Sequence, residues 1–181
     1  MSRRAKIGCA FGLVMITLFL ARNAIAQAMV AFEAPHHVHA PTGTMTPMLS
    51  AKVDTDAKAS AAASIDAFIH FALTETATQF HFGLSHKTKL RYDGVEREAN
   101  CVEYADLFAT IVNRESSDAH AYVVRSDARI LGERSASPAW KDHDWVLIVT
   151  KTDRFYVDPT LYDMGLGWNI ASSVRGKVTT P

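Results

Sequence analysis

The chain has 181 residues, two cysteines, and 19 basic against 19 acidic side chains. Residues 1–28 hold four of the basic side chains and none of the acidic ones, so the remainder carries a net charge near minus four. That acidity argues against nucleic acid as the main partner, and roughly 150 remaining residues bury one ordinary core, which points to one domain.

The N-terminus reads MSRRAKIGCAFGLVMITLFLARNAIAQA. Arg3, Arg4 and Lys6 form a positive start, Ile7 to Ala21 an apolar run, and Ala24, Ala26 and Ala28 a small-residue cleavage pattern. Residues 1–28 are therefore read as an export signal cut after Ala26 or Ala28, with a periplasmic or secreted product. The apolar run is shorter than the ~20 residues a membrane span requires, so no span is expected after processing. Cys9 lies too early to be the modified cysteine of a lipoprotein and leaves with the signal. Cys101 then remains as a lone thiol that no intramolecular disulfide can use, in a compartment that permits disulfides.

Residues 29–58 contain three prolines, an HHVH stretch and the segment PTGTMTP, and are read as a flexible linker or extended N-terminal arm. His36, His37 and His39 with Glu33 form a conceivable metal group. Their spacing matches no closed site, and surface histidines are the simpler reading. The domain proper is assigned to residues 59–181. Ile65, Phe68, Ile69, Ala72 and Leu73 recur at helical spacing, which predicts a helix over 59–78. A short strand is expected around Leu90 to Tyr92, with a turn at Asp93-Gly94.

A second helix is predicted from Asn100. Asn100 is a good N-cap, and Glu103 three residues on completes a capping-box pattern. Ala105, Phe108, Ala109 and Val112 mark the buried face, with Leu107 and Ile111 widening it. Cys101 falls in the first turn, where the positive end of the helix favours a thiolate. Strands are expected at Ala119 to Arg125, Trp145 to Thr150 and Arg154 to Asp158, with a polar connection over 129–142. Helices followed by strands, without a repeated βαβ pattern, indicate an α+β fold.

His143 opens one predicted strand and Asp158 closes the next, so antiparallel pairing would bring them together. Cys101 as nucleophile, His143 as base and Asp158 as orienting carboxylate would then form an acyl-transfer set, with helix-start amides receiving the oxyanion. A buried small cysteine without chemistry, and a zinc site on the same three residues, remain open readings of the spacing alone. His81 and His86 are candidates to line a cleft, Asp142 and Asp144 to tune His143 or to be solvated, and Trp140 to be a platform or an anchor. His70 and His120 read as structural.

The stretches NCVEYADLF, HDW and FYVDPT together resemble the core of the transglutaminase-like superfamily, within the papain-like group. The resemblance covers roughly Leu84 to Tyr162. It implies a nucleophile at a helix N-terminus packed on an antiparallel sheet, with Cys101, His143 and Asp158 in that chain order. It also implies that Tyr104, Ala105 and Leu107 pack the nucleophile helix and that Trp145 walls the histidine. Many relatives have glycine two residues before the cysteine, where this chain has Ala99, and the turn after the helix, Asn113 to Asp118, lacks their glycine. The activity implied is an exported cysteine hydrolase acting on amide or peptide bonds through a thioester, as a peptidase, protease or deamidase. Transfer to an amine, a secreted protein-modifying effector and a non-catalytic peptide-binding module are the alternatives. No cofactor is needed for this chemistry, and the expected partner is a protein or peptide, including a cell-envelope peptide.

Overall fold

The structure is a computed structural model that describes residues 17, 21–22, 24–25, 28–61, 64–84, 90–134 and 141–181. Most of the expected export signal, together with His86 and Trp140, lies outside the described residues. Among the described residues no helix is long and apolar enough to cross a membrane. Arg22 donates from Nε to the Gly165 carbonyl at 2.6 Å.

In chain order come β1 (Val30–Phe32), β2 (His37–His39), β3 (Thr44–Met45), α1 (Pro47–Ala61), α2 (Ile65–Ala77) and β4 (Phe80–Phe82). Then follow β5 (Arg91–Tyr92), β6 (Arg97–Ala99), α3 (Cys101–Glu115), β7 (Ala119–Ser126), β8 (Ala128–Ile130) and β9 (Glu133–Arg134). The chain continues through β10 (His143–Thr150), β11 (Arg154–Val157) and α4 (Pro159–Asp163). The mixture of helices with antiparallel sheets and two short parallel pairs, β3-β5 and β4-β6, is the α+β class expected.

The central sheet has the order β11-β10-β7-β2 and is antiparallel throughout. Alternation along its strands separates two cores. Ala119, Ala121 and Val123 of β7, with Val146 and Ile148 of β10, face the helices and pack with Leu107, Phe108, Ile111 and Val112 of α3. Val124, Trp145 and Leu147 face the other way, onto Phe32, Leu161, Ile170 and Val178. Both faces being covered explains why the WVLIV run of β10 is continuously apolar and not alternating. Each fully buried Leu, Ile or Phe here contributes on the order of 2 kcal/mol by transfer from water.

The linker expected over 29–58 is replaced by elements of the fold. β1 pairs with β8, β2 forms an edge of the central sheet against β7, and residues from Pro47 onward form α1. The segment looks loose in sequence because its strands are only two or three residues long and their partners lie far along the chain, on β8, β7 and β5. A second tether is Asp106 of α3, which accepts from Thr42 N at 2.7 Å, Gly43 N at 2.8 Å and Tyr92 Oη at 3.0 Å. Gly43 is required there, since a Cβ would lie 2.0 Å from the Asp106 carboxylate. Together, burial and the Asp106 carboxylate hold the Tyr92 hydroxyl well above its ordinary pKa, so it is a donor throughout the physiological range.

Helix boundaries also differ from expectation. The single helix predicted over 59–78 is two helices: α2 begins at Ile65 behind its N-cap Ser64, whose side chain accepts from Ala67 N. α1, with little apolar patterning, was not foreseen. The polar connection over 129–142 contains the β8–β9 hairpin, turned by Leu131 and Gly132 at φ 53° and 84°.

Candidate active site

α3 starts where the sequence places it. Asn100 Oδ1 accepts from Val102 N at 3.0 Å, and Glu103 Oε2 accepts from Asn100 N at 3.3 Å, the reciprocal pair of a capping box. Glu103 is fully buried and also ion-paired with Arg97 of β6, whose guanidinium lies over the Phe80 ring. A carboxylate that caps, pairs and is excluded from water fixes the approach to Cys101 in one geometry. The chain needs no glycine for this: Ala99 is a regular β6 residue, paired with Phe82 and wholly buried.

The amides of Val102, Glu103 and Tyr104 all donate to Asn100. Of the first-turn amides this leaves that of Cys101 itself as the donor for an anion, a narrower provision than the open helix start expected from sequence.

His143 and Asp158 are brought together across the sheet end. β10 and β11 pair with Val146 opposite Val157, and His143 Nε2 lies 2.7 Å from Asp158 Oδ2. Their side chains are 1% and 0% exposed. Asp158 is held from its other oxygen: Oδ1 accepts from Thr160 N and Leu161 N, each at 3.0 Å, as the N-cap of α4. Pro159 at the first helical position favours that start. The DPT segment is therefore a cap and a histidine holder at once.

The Cys101 thiol acts on the same imidazole as a neighbouring charge. The thiol is the free cysteine of the described residues and is 8% exposed. Burial works to lower the His143 pKa, but the charges of Asp158 and Cys101 and the hydrogen bond to Asp158 outweigh it, and the pKa lies well above the usual histidine value. The arrangement is thus a thiol, an imidazole that favours its charged form, and a buried carboxylate, in that order.

Behind the imidazole stands a residue that sequence reasoning did not select. Phe32 of β1 stacks on His143 with ring centroids 5.4 Å apart and a 24° interplanar angle. Trp145, expected as the wall, is one layer further back, 6.4 Å from Phe32, and its indole donates to Ser126 Oγ at 2.9 Å. The signal for Phe32 was faint: one aromatic in a three-residue strand.

Asp144 is not a solvated loop carboxylate. It is 1% exposed and receives both Nε and Nη2 of Arg125, at 2.7 and 2.8 Å. Asp142 is exposed, has φ 60°, and faces His36 at 3.6 Å. His36, Asp127 and Asp142 place three ligand-type atoms within 4.8 Å of one another, which differs from the His36, His37, His39 and Glu33 grouping considered from sequence. Asp127 in that cluster is already paired with Arg134 at 2.5 Å, and Glu33 with Arg129. His81 and His120 are exposed, and His70 meets Tyr162 and Trp168 edge-on.

Comparison with protein-family models, with curated proteins and with solved structures finds no match for this chain.

Proposed function

We propose that the protein is an exported cysteine hydrolase that cleaves amide or peptide bonds through a thioester, on a papain-like, transglutaminase-like architecture. The observation that carries this reading is the buried His143–Asp158 contact of 2.7 Å, with the charge of Cys101 acting on the same ring. A cysteine kept only for packing does not require a histidine whose charged form is favoured despite complete burial.

In the proposed reaction the Cys101 sulfur, its proton held on His143, attacks the substrate carbonyl carbon and forms a C–S bond. The carbonyl oxygen takes the electron pair and is met by the Cys101 amide. Collapse breaks the C–N bond while His143 gives its proton to the departing amine, leaving a thioester. His143 then accepts a proton from water, whose oxygen attacks the thioester; the carboxylic product departs and the sulfur and imidazole are restored. Asp158 keeps the ring oriented and stabilises its positive form throughout. Attack by an amine in place of water would give transamidation from the same thioester. A protein or peptide substrate in the cell envelope fits the export pattern of residues 1–28.

Iodoacetamide labelling at Cys101, followed against pH, tests the reading. Rapid labelling at pH 6 to 7, where an ordinary thiol of pKa about 8.5 is mostly protonated, should disappear in His143→Ala. Equally slow labelling in both folded proteins would instead mark the thiol as inert and leave a peptide-binding module.

A further inference from the structure

The Arg125–Asp144 pair takes no part in the steps above, yet it lies at the same end of the sheet. We propose that Arg125 is a specificity residue: its outer guanidinium edge holds a substrate carboxylate close to the carbon that Cys101 attacks. This rests on Cys101 being the nucleophile.

The location follows from register. Arg125 and Asp144 are direct partners across β7 and β10, and by alternation they continue the row of Val123 and Val146, which faces α3. Asn113 in the last turns of α3 bonds the Ala121 backbone through both side-chain atoms, Nδ2 to the carbonyl at 2.8 Å and Oδ1 from the amide at 2.6 Å. Running back from there towards its N-terminus, α3 passes Val123 and brings Cys101 towards the Arg125 end of the strand. The electrostatics agree: hydrogen bonds to Asp144 raise the Arg125 pKa against the effect of burial, and the charges of Asp144, Cys101 and Asp142 add to the rise.

The orientation of the pair is unequal. Asp144 is 1% exposed whereas Arg125 is 36% exposed. The carboxylate is therefore the buried anchor and the guanidinium the presented group. Asp144 takes Nε and Nη2 and leaves the Nη1 edge of the fork unengaged by it. By contrast Arg97 of β6, paired with Glu103, is 12% exposed and lies over the Phe80 ring. A planar, anchored fork with a free edge is suited to a carboxylate, which it meets with parallel hydrogen bonds. The other charges near this edge are the imidazole of His143, Asp142, whose carboxylate is turned towards His36, and His37, the neighbour of Arg125 on β2.

The test compares two alkylating probes on the full chain, iodoacetate, which carries a carboxylate, and neutral iodoacetamide. In each case the sulfur displaces iodide, and labelling is read at Cys101 by peptide mass spectrometry so that Cys9 does not contribute. Arg125→Gln should lower the iodoacetate-to-iodoacetamide rate ratio by about tenfold, the loss of one charge-assisted hydrogen bond, with the iodoacetamide rate retained. Arg125→Lys should give an intermediate ratio. The double variant Arg125→Gln/Asp144→Asn removes the buried charge that the single variant strands, and should show the same drop. An unchanged ratio in both glutamine variants overturns the proposal. So does a parallel fall in both rates, which would make Arg125 a structural residue. Failure of the hydrolase reading is seen separately, as iodoacetamide labelling that is slow and indifferent to His143→Ala, while the ratio still reports whether Arg125 draws an anion to the sulfur.

Discussion

Asp158 holds His143 with one carboxylate oxygen and the start of α4 with the other: Oδ2 is 2.7 Å from Nε2, and Oδ1 accepts two backbone amides at 3.0 Å. A carboxylate fixed from both sides cannot rotate away from the imidazole without uncapping the helix. Orientation of the ring and integrity of the DPT corner are thus one property of the fold.

Replacing Asp158 separates the two roles. Asp158→Asn keeps an oxygen for the cap but offers the imidazole no negative charge, so the stability contributed by the charged His143 should be lost and iodoacetamide labelling at pH 7 should fall by about tenfold or more. Asp158→Ala removes the cap as well and should cost a further ~1 kcal/mol in urea denaturation. Equal labelling by wild type and Asp158→Asn would show that the carboxylate does not set the charge on His143.

The raised pKa of His143 gives stability a definite pH dependence. A group whose folded-state pKa lies above its unfolded value contributes most below the unfolded value, about 6.5 for histidine. That contribution is lost as pH rises through the higher folded-state value. In that window the stability of wild type should decline by up to about 1.4 kcal/mol per pH unit relative to His143→Gln. Urea denaturation of both proteins between pH 6 and pH 10 measures the difference. A constant gap would mean that the ring is neutral in the folded protein.

Phe32 stacks on His143 and fills the second core, so Phe32→Ala should destabilise by about 3–5 kcal/mol. Phe32→Leu should cost less in denaturation yet still slow labelling at Cys101, because the ring that limits the tilt of the imidazole is gone. Labelling unaffected by Phe32→Leu would reduce the residue to a core filler.

The buried Arg97–Glu103 pair at the start of α3 responds asymmetrically to substitution. Arg97→Leu leaves the carboxylate of Glu103, fully buried, without its counter-ion and should cost about 3–5 kcal/mol. Glu103→Gln retains a side chain able to cap Asn100 and removes the buried negative charge, so it should be milder. Thermal denaturation of the two variants decides the order.

Removal of residues 29–46 deletes β1, β2 and β3, takes Phe32 out of the second core and bares the edge of β7. The truncated chain should aggregate or fail to fold cooperatively, as an unpaired edge strand with an opened core does. A monomeric, cooperative truncation product would restore the dispensable-arm reading.

What was legible in the sequence was local. The Asn100–Glu103 cap, the apolar face of α3, the long strands β7 and β10 and the shorter β11 are written in short-range patterns, because caps and periodic faces are decided within a few residues. That His143 and Asp158 would meet also followed from two strands joined by a short turn. Tertiary structure decided the rest. β1, β2 and α1 have too few patterned residues to announce themselves, and they exist because β8, β7 and the helical core supply partners that are distant in sequence. Phe32 becomes the support of His143 only through β1 and the second core. Asp144, which looks like one more charge in KDHDW, is buried because the register of β10 on β7 sets it opposite Arg125. A carboxylate's surroundings depend on what crosses it in space, and no spacing along the chain contains that information.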